Sequence, residues 1–306
     1  MIAATMPILT INHKTEYRYA DPVAFGEHRV MLRPLPGHDL HVLATSLEIE
    51  PQPMSLHWIH DVFGNSVAIA SFDERSDTLT FTATSTVEHN PSDFALTPDD
   101  EAYFYPFLYD DEEYPDLMQY VTPQYGDPNG ELSAWARQFL DAEAPTPTFR
   151  ILSGMTHGIR KAFNYRKRHE HGTQHPLDTL QLKSGTCRDY ALFMIEALRR
   201  LGIAARFVSG YIFVPGDSAH GYVGGGNTHA WVQAYLPSAG WVEFDPTNGI
   251  VGNRDLVRVA VARDPRQAIP LHGCYLGSAD AFLGMDVNIK VVSVGDEANS
   301  ATVELA

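Results

Sequence analysis

Three residue types in this chain have the spacing of a nucleophilic site. Cys187 stands where a short polar turn, Lys183-Ser-Gly-Thr186, runs into an apolar stretch. Beyond it Ala191, Met194, Ile195, Leu198 and Leu201 recur at three- and four-residue steps, the period of one buried helical face. Thr186 has the chemistry of an N-cap, Asp189 completes a capping box with Asp in the usual Glu position, and Gly202 marks the stop. A thiol at a helix start faces unpaired backbone N–H groups and the positive end of the dipole. Both favour thiolate over thiol.

A nucleophile of this kind needs a base and a group to orient the base. Residues 228–236 read as a strand with Ala230, Val232, Ala234 and Leu236 on one face and His229, Trp231, Gln233 and Tyr235 on the other. Residues 240–245 form a second strand, with Trp241, Glu243 and Asp245 opposing Val242 and Phe244 before Pro246 ends it. If Tyr235 pairs with Trp241, Trp231 lies opposite Asp245 and His229 sits diagonal to it on the same face. A slip of one residue would separate them. The hairpin is therefore expected in the even register, with Cys187 as nucleophile, His229 as base and Asp245 as its orienting carboxylate. The backbone N–H of Cys187 is one natural donor to an oxyanion; for the second, Tyr165 and Gln181 are alternatives. Trp231 and Trp241 are expected to wall the substrate cleft. Arg188 and Asp189 either shape the pocket or act structurally, as ion-pair partner and cap.

The elements around this site divide the chain into three. Residues 1–95 read as a β-sandwich of six or seven short strands, separated by turn signals such as Pro51-Gln-Pro53 and Phe63-Gly-Asn65. Their histidines (His13, His28, His38, His41, His57, His60) are scattered and expected to pack or face solvent. Residues 96–147 form a connector rich in aromatic and acidic residues, with a helix at 132–140. Residues 148–306 form the catalytic domain: a helix from Thr148 with Phe149, Leu152, Met155, Ile159 and Phe163 on one stripe, the His169-Glu-His-Gly-Thr-Gln-His175 loop, the Cys187 helix, the strands, and a glycine-rich loop at 221–226 expected to be mobile. The three histidines of the 169–175 loop lack a helical i, i+4 pair and a nearby cysteine, so a polar loop near the site is expected rather than a metal centre. Residues 256–262 and 287–294 read as further strands, and residues 269–277 as a return to the cleft rim. Cys274 has no chemical partners and is expected to be inert.

Taken together, Gly185-Thr-Cys-Arg-Asp-Tyr190, Gly202-Ile-Ala-Ala-Arg-Phe-Val-Ser-Gly-Tyr211, His229-Ala-Trp231 and Gly240-Trp-Val-Glu-Phe-Asp-Pro-Thr247 resemble the transglutaminase-like superfamily, a branch of the papain-like cysteine enzymes. The likeness covers roughly residues 149–247, and the β-rich front resembles the domain that accompanies bacterial members. The resemblance implies an α+β fold, a helix carrying Cys187 packed on an antiparallel sheet carrying His229 and Asp245, preceded by the sandwich. It also implies hydrolysis of peptide or amide bonds through a thioester, by a transglutaminase-like cysteine peptidase. Protein-glutamine gamma-glutamyl transfer and a non-enzymatic peptide-binding module are the competing expectations.

Composition bounds the partners. Among 306 residues, 38 acidic side chains against 22 basic ones leave a formal charge of −16. That balance argues against nucleic acid or an anionic membrane as the main partner. A peptide or protein substrate is expected, with no cofactor and no metal; the oligomeric state stays open. Two cysteines make no disulfide framework. With neither a signal peptide nor a long apolar run in view, a cytoplasmic location is expected.

Overall fold

A computed structural model describes residues 7–91, 94–168, 172–214, 223 and 226–293. The front of the chain is all strand: β1 (Ile8–Phe25), β2 (His28–Val30), β3 (Leu40–Glu50), β4 (Ser55–His60), β5 (Ser66–Ser71) and β6 (Arg75–His89). The alternation seen in the sequence is the burial pattern of the long strands: in β6 Leu79, Phe81, Ala83, Ser85 and Val87 point inward. Two sheets stack around Tyr19, Phe25, Val30, Leu32, Leu79 and Phe81. His13 is buried, paired with Tyr211 and Thr15, and burial pushes its pKa down to about 4. His28 packs among Phe25, Phe72 and Phe81. Neither is arranged for ligation.

The connector contains β7 (Phe104–Tyr105), α1 (Tyr114–Val121) and α2 (Glu131–Arg137). Its aromatics reach into the next unit: Tyr105 donates to the Leu201 carbonyl, and the Tyr109 hydroxyl accepts from the Ala204 N–H and donates to the Tyr235 carbonyl. Then come β8 (Thr146–Pro147), α3 (Thr148–Ala162), β9 (Asn164–Tyr165), α4 (Pro176–Leu182), β10 (Ser184–Gly185) and α5 (Cys187–Arg200). An antiparallel sheet follows, in the order β14 (Ile250–Val251), β13 (Gly240–Asp245), β12 (His229–Leu236), β11 (Ala205–Ile212), β15 (Leu256–Ala262).

Helix α5 packs on the face of this sheet that carries Phe207, Ala230, Val232, Ala234, Leu236 and Phe244, with Tyr190, Ala191, Phe193, Met194, Ile195 and Leu198 fully buried between them. Each large apolar side chain removed from water there stabilises the fold by roughly 1.5–3 kcal/mol. This core anchors the helix whose first residue is Cys187. The opposite face of the sheet packs Val208, Trp231, Leu256 and Val261 against Leu35 and Phe63 of the sandwich. Asn65, from the Phe63-Gly-Asn65 turn, completes the joint by accepting from the Val261 N–H and donating to its carbonyl.

The end of the chain departs from the expected division. Residues 256–262 do complete the catalytic sheet, as β15. However β16 (Leu271–His272), β17 (Tyr275–Leu276) and β18 (Phe282–Ser293) return to the sandwich. β16 pairs with β2, while β17 and β18 pair with β1 along the edge that β6 leaves open. The assignment of all residues from 148 onward to a catalytic domain therefore has to be corrected, because β1 is an interior strand whose backbone N–H and C=O groups on the edge away from β6 are paired by β17 and β18. Residues 269–277 lie on the sandwich and not on a cleft rim. Cys274 is an exposed free thiol in that segment. Among the described residues no helix is long and apolar enough to cross a membrane.

Candidate active site

The segment leading into Cys187 is held on both sides. β9 and β10 pair in parallel, Asn164 with Ser184 and Tyr165 with Gly185, and the Arg166 N–H donates to the Gly185 carbonyl at 2.9 Å. Thr186 is extended at the helix N-cap. Asp189 accepts its N–H at 2.7 Å and its hydroxyl at 2.9 Å, so the reciprocal cap expected from the sequence exists with the carboxylate as its centre. The same buried carboxylate also takes Arg168 Nε at 2.9 Å, Arg168 Nη2 at 3.1 Å and the Gln174 N–H at 2.7 Å. Gly185 is required for this closeness: a Cβ there would lie 2.8 Å from Asp189 Cβ. Asp189 is thus structural, tying the 168–174 segment to the start of the helix. Arg188 is structural as well, although its partners are the carbonyls of Pro265 (2.6 Å) and Ala268 (3.3 Å) and the face of Phe207, rather than a carboxylate.

His229 and Asp245 arrive from the hairpin. β12 and β13 pair Tyr235 with Trp241 and Val232 with Phe244, which is the even register. His229 Nε2 lies 2.7 Å from Asp245 Oδ2, and both side chains are excluded from solvent. An ionised carboxylate can only accept, so Nε2 carries the proton and Nδ1 is the nitrogen left over. Nδ1 is buried, with no hydrogen-bond partner among the described residues. Burial opposes a charged imidazole, but Asp245, by charge and hydrogen bond, and then the Cys187 thiol outweigh it; the His229 pKa is pushed up to about 10. For Asp245 burial alone would raise the pKa, yet His229 and the hydrogen bonds it accepts hold it below the usual carboxylate range. Across β11 the neighbour of His229 is Gly210, where a Cβ would meet the Val257 carbonyl at 2.1 Å and the Trp231 ring at 2.6 Å.

Asn248 was not singled out by the sequence reading. Its Nδ2 donates to Asp245 Oδ2 at 2.8 Å and to the Val223 carbonyl at 3.1 Å, while its Oδ1 accepts the Val223 N–H at 2.7 Å. Asn248 thus shares Oδ2 with His229, its Nδ2 3.3 Å from Nε2, while the Thr247 N–H holds Oδ1 at 2.8 Å. The signal that could have found it was the turn composition directly after Asp245, Pro246-Thr-Asn-Gly249, in which Asn and Thr are apt to fold back on a preceding carboxylate.

The other expected residues divide. Tyr165 is half-buried beside the thiol: burial first, then the charges of Cys187, Tyr190 and Asp189, push its phenol pKa up. Gln181 is exposed on α4 and its amide faces Glu131. Trp231 does not wall a cleft. It is fully buried and stacked against the His229 ring, with ring centroids 6.0 Å apart. Trp241 does not wall a cleft at the thiol either. It stands opposite Tyr235, six residues along β12 from His229 and so about 20 Å away, packed on Tyr120, Tyr235 and Arg206. A cavity of about 590 Å³ opens at that distant end, between Phe94, Leu96, Arg206 and Trp241. Of the His-rich loop, residues 169–171 lie outside the described residues, as do residues 215–222, 224 and 225 of the glycine-rich loop; His175 caps α4 by accepting the Leu177 N–H. Among the described residues no group of His, Cys, Asp and Glu is arranged to hold a metal ion.

Comparison with known proteins agrees with this architecture. Residues 9–88 match the bacterial transglutaminase-like N-terminal region, and residues 134–246 match the transglutaminase-like superfamily core. An uncharacterized protein of Mycobacterium tuberculosis is 29% identical over 306 residues, covering 92% of this chain and 91% of that one. A protein-glutamine gamma-glutamyltransferase of Pseudomonas aeruginosa is 39% identical over 74 residues, 24% of this chain and 11% of its own. The crystal structure of a candidate cysteine protease of Cytophaga hutchinsonii superposes with a TM-score of 0.71 at 20% identity, covering 95% of this chain and 92% of that one. At that identity the likeness speaks for the fold. The chain thus joins a region that matches the bacterial transglutaminase-like N-terminal family, residues 9–88, to an α+β core that matches the transglutaminase-like superfamily, residues 134–246.

Proposed function

We propose that the protein is a cysteine-dependent acyl-transfer enzyme that hydrolyses peptide or amide bonds. The observation that carries this reading is the buried His229–Asp245 pair, which leaves Nδ1 to the Cys187 thiol and strongly favours a protonated imidazole. The thiol proton passes to Nδ1, and the resulting thiolate attacks the substrate carbonyl carbon. The carbonyl π pair moves onto oxygen, where the Cys187 N–H at the helix start, with Tyr165 as second donor, stabilises the oxyanion. As the C–N bond breaks, the imidazolium gives its proton to the leaving amine, and a thioester remains on Cys187. His229 then deprotonates a water that attacks the thioester, releasing the carboxylic acid and restoring the thiol. Asp245 holds the ring orientation and the tautomer throughout.

A second reading replaces that water with a lysine amine, giving gamma-glutamyl transfer. The similarity to the Pseudomonas aeruginosa transferase over 74 residues favours it. Peptide-library digestion and incorporation of a fluorescent amine into a glutamine-bearing protein, run side by side, separate the two. Iodoacetamide is expected to label Cys187 faster than Cys274 at neutral pH, and Cys187→Ala to abolish turnover in either assay. Full turnover by Cys187→Ala would refute both readings.

A further inference from the structure

The approach to Cys187 carries a charge opposite to that of the molecule. The chain has 38 acidic and 22 basic residues, yet residues 160–168 hold Arg160, Lys161, Arg166, Lys167 and Arg168 with no acid among them. Lys183 adds a sixth cation where α4 meets β10. Three of these have structural reasons to be there: Arg160 and Lys161 lie in the last turn of α3, where cations complement the dipole, and Arg168 serves Asp189. Arg166 and Lys167 lie beyond the helix, where no helix end calls for them.

Their position is set by the backbone. The Asn164 N–H donates to the Lys183 carbonyl, and the Arg166 N–H to the carbonyl of Gly185, two residues before the nucleophile. The β9–β10 pair therefore holds the backbone of Arg166, Lys167 and Lys183, all exposed, beside the segment that leads into Cys187. Among the described residues no carboxylate forms an ion pair with any of the three. The reacting groups are nearly inaccessible by contrast, with Cys187 6% and His229 1% exposed, so a substrate meets this rim before it meets the thiol. A chain with a formal charge of −16 repels anions at long range unless the entry is locally positive.

We infer that the site takes acidic peptide segments, with Asp or Glu side chains flanking the bond attacked, and that Arg166, Lys167 and Lys183 select them. The inference rests on the acyl-transfer reading for the role of Cys187, but binding alone can test it. Labelled peptides of equal length, acidic or neutral, are titrated by fluorescence anisotropy against Cys187→Ala protein and against the same protein carrying Arg166→Glu, Lys167→Glu and Lys183→Glu. The acidic peptide is expected to bind roughly tenfold tighter at low ionic strength, to lose that advantage at about 0.3 M salt, and to lose it in the charge-reversed protein. In otherwise wild-type protein the three reversals are expected to leave thermal stability unchanged, and to raise KM for acidic peptides more than they lower kcat. Equal affinity for the two peptides, a preference that survives charge reversal, or tighter binding of a DNA oligonucleotide than of the acidic peptide would each overturn the inference. Selective binding without turnover by wild-type protein would uphold it and overturn the acyl-transfer reading alone.

Discussion

One face of a single hairpin carries two buried polar clusters. Four residues along β12 from His229, Gln233 donates to Glu243 Oε1 at 2.7 Å, and Arg206 Nε donates to Gln233 Oε1 at 2.8 Å. Arg258 then bridges Glu243 at 2.7 Å and Asp39 of the sandwich at 2.6 and 2.7 Å, with Asn253 also bound to Asp39. In this cluster none of the side-chain N or O atoms is left buried without a partner among the described residues. At the other end His229, Asp245 and Asn248 form an equally buried group in which one atom, Nδ1 of His229, lacks a hydrogen bond. The materials are alike: strand carboxylates, a cation and amides. What separates the two is that the first is saturated and the second stops one bond short, beside a thiol, as the proposed chemistry requires.

The sharpest way to break this comparison is Asp245→Asn. It should lower kcat by roughly 10³-fold or more, because the amide no longer enforces the tautomer that leaves Nδ1 to the thiol. Steady-state kinetics on a peptide substrate check it, with circular dichroism showing that the fold is kept. Arg258→Met acts at the saturated end and should cost about 3–5 kcal/mol of stability by stranding two buried carboxylates. Below its urea midpoint that variant should turn over within about threefold of wild type, as expected for sites that do not share partners. A fall in kcat like that of Asp245→Asn would show that the two ends act as one.

The two clusters should also differ in their response to pH. The His229 pKa is raised above 6.5, so its contribution to stability is complete below pH 6.5 and fades as pH climbs through its folded value of about 10. The Asp245 pKa is lowered from 3.8, so its contribution is present above that value and is lost as pH falls. The stability gap between wild type and a His229→Gln, Asp245→Asn double variant should therefore be widest between about pH 4 and 6.5 and narrow by pH 9. The gap for Arg258→Met should hold over the alkaline range, since a guanidinium does not titrate there. Urea midpoints measured across pH decide this; two parallel curves would contradict the distinction. The smallest effect is expected from Asn248→Ala, roughly a tenfold loss in kcat/KM from removing one hydrogen bond to a buried carboxylate. A loss in KM alone would move Asn248 from the base to substrate binding.

Much of the site could be read from letters because its parts are local. The cap at Thr186 and Asp189, the period of α5 and the two-face pattern of the hairpin are each decided within a dozen residues. The hairpin register then follows from parity. What could not be read depends on long-range packing. Trp231 and Trp241 share a face with His229, and nothing in sequence separates a ring stacked against that imidazole from one at the far end of the strand. Arg168 reaches Asp189 across 21 residues through a segment without periodicity. Helices α1 and α4 are too short to show an amphipathic period, and both carry a proline in the first turn. The return of β18 to β1 escaped because alternation marks a strand without naming its neighbour.

That return makes the core an insertion within the sandwich. β1 has its long second neighbour only in β18, some 270 residues later in sequence. Helix α5 precedes β18 in the chain, so the sandwich is closed only by a strand that follows the whole inserted core. Cutting the chain at either apparent boundary would leave a raw sheet edge on one fragment and an unsupported hairpin on the other, so the unit that can be expressed, evolved or transplanted is the whole loop of chain from β1 to β18.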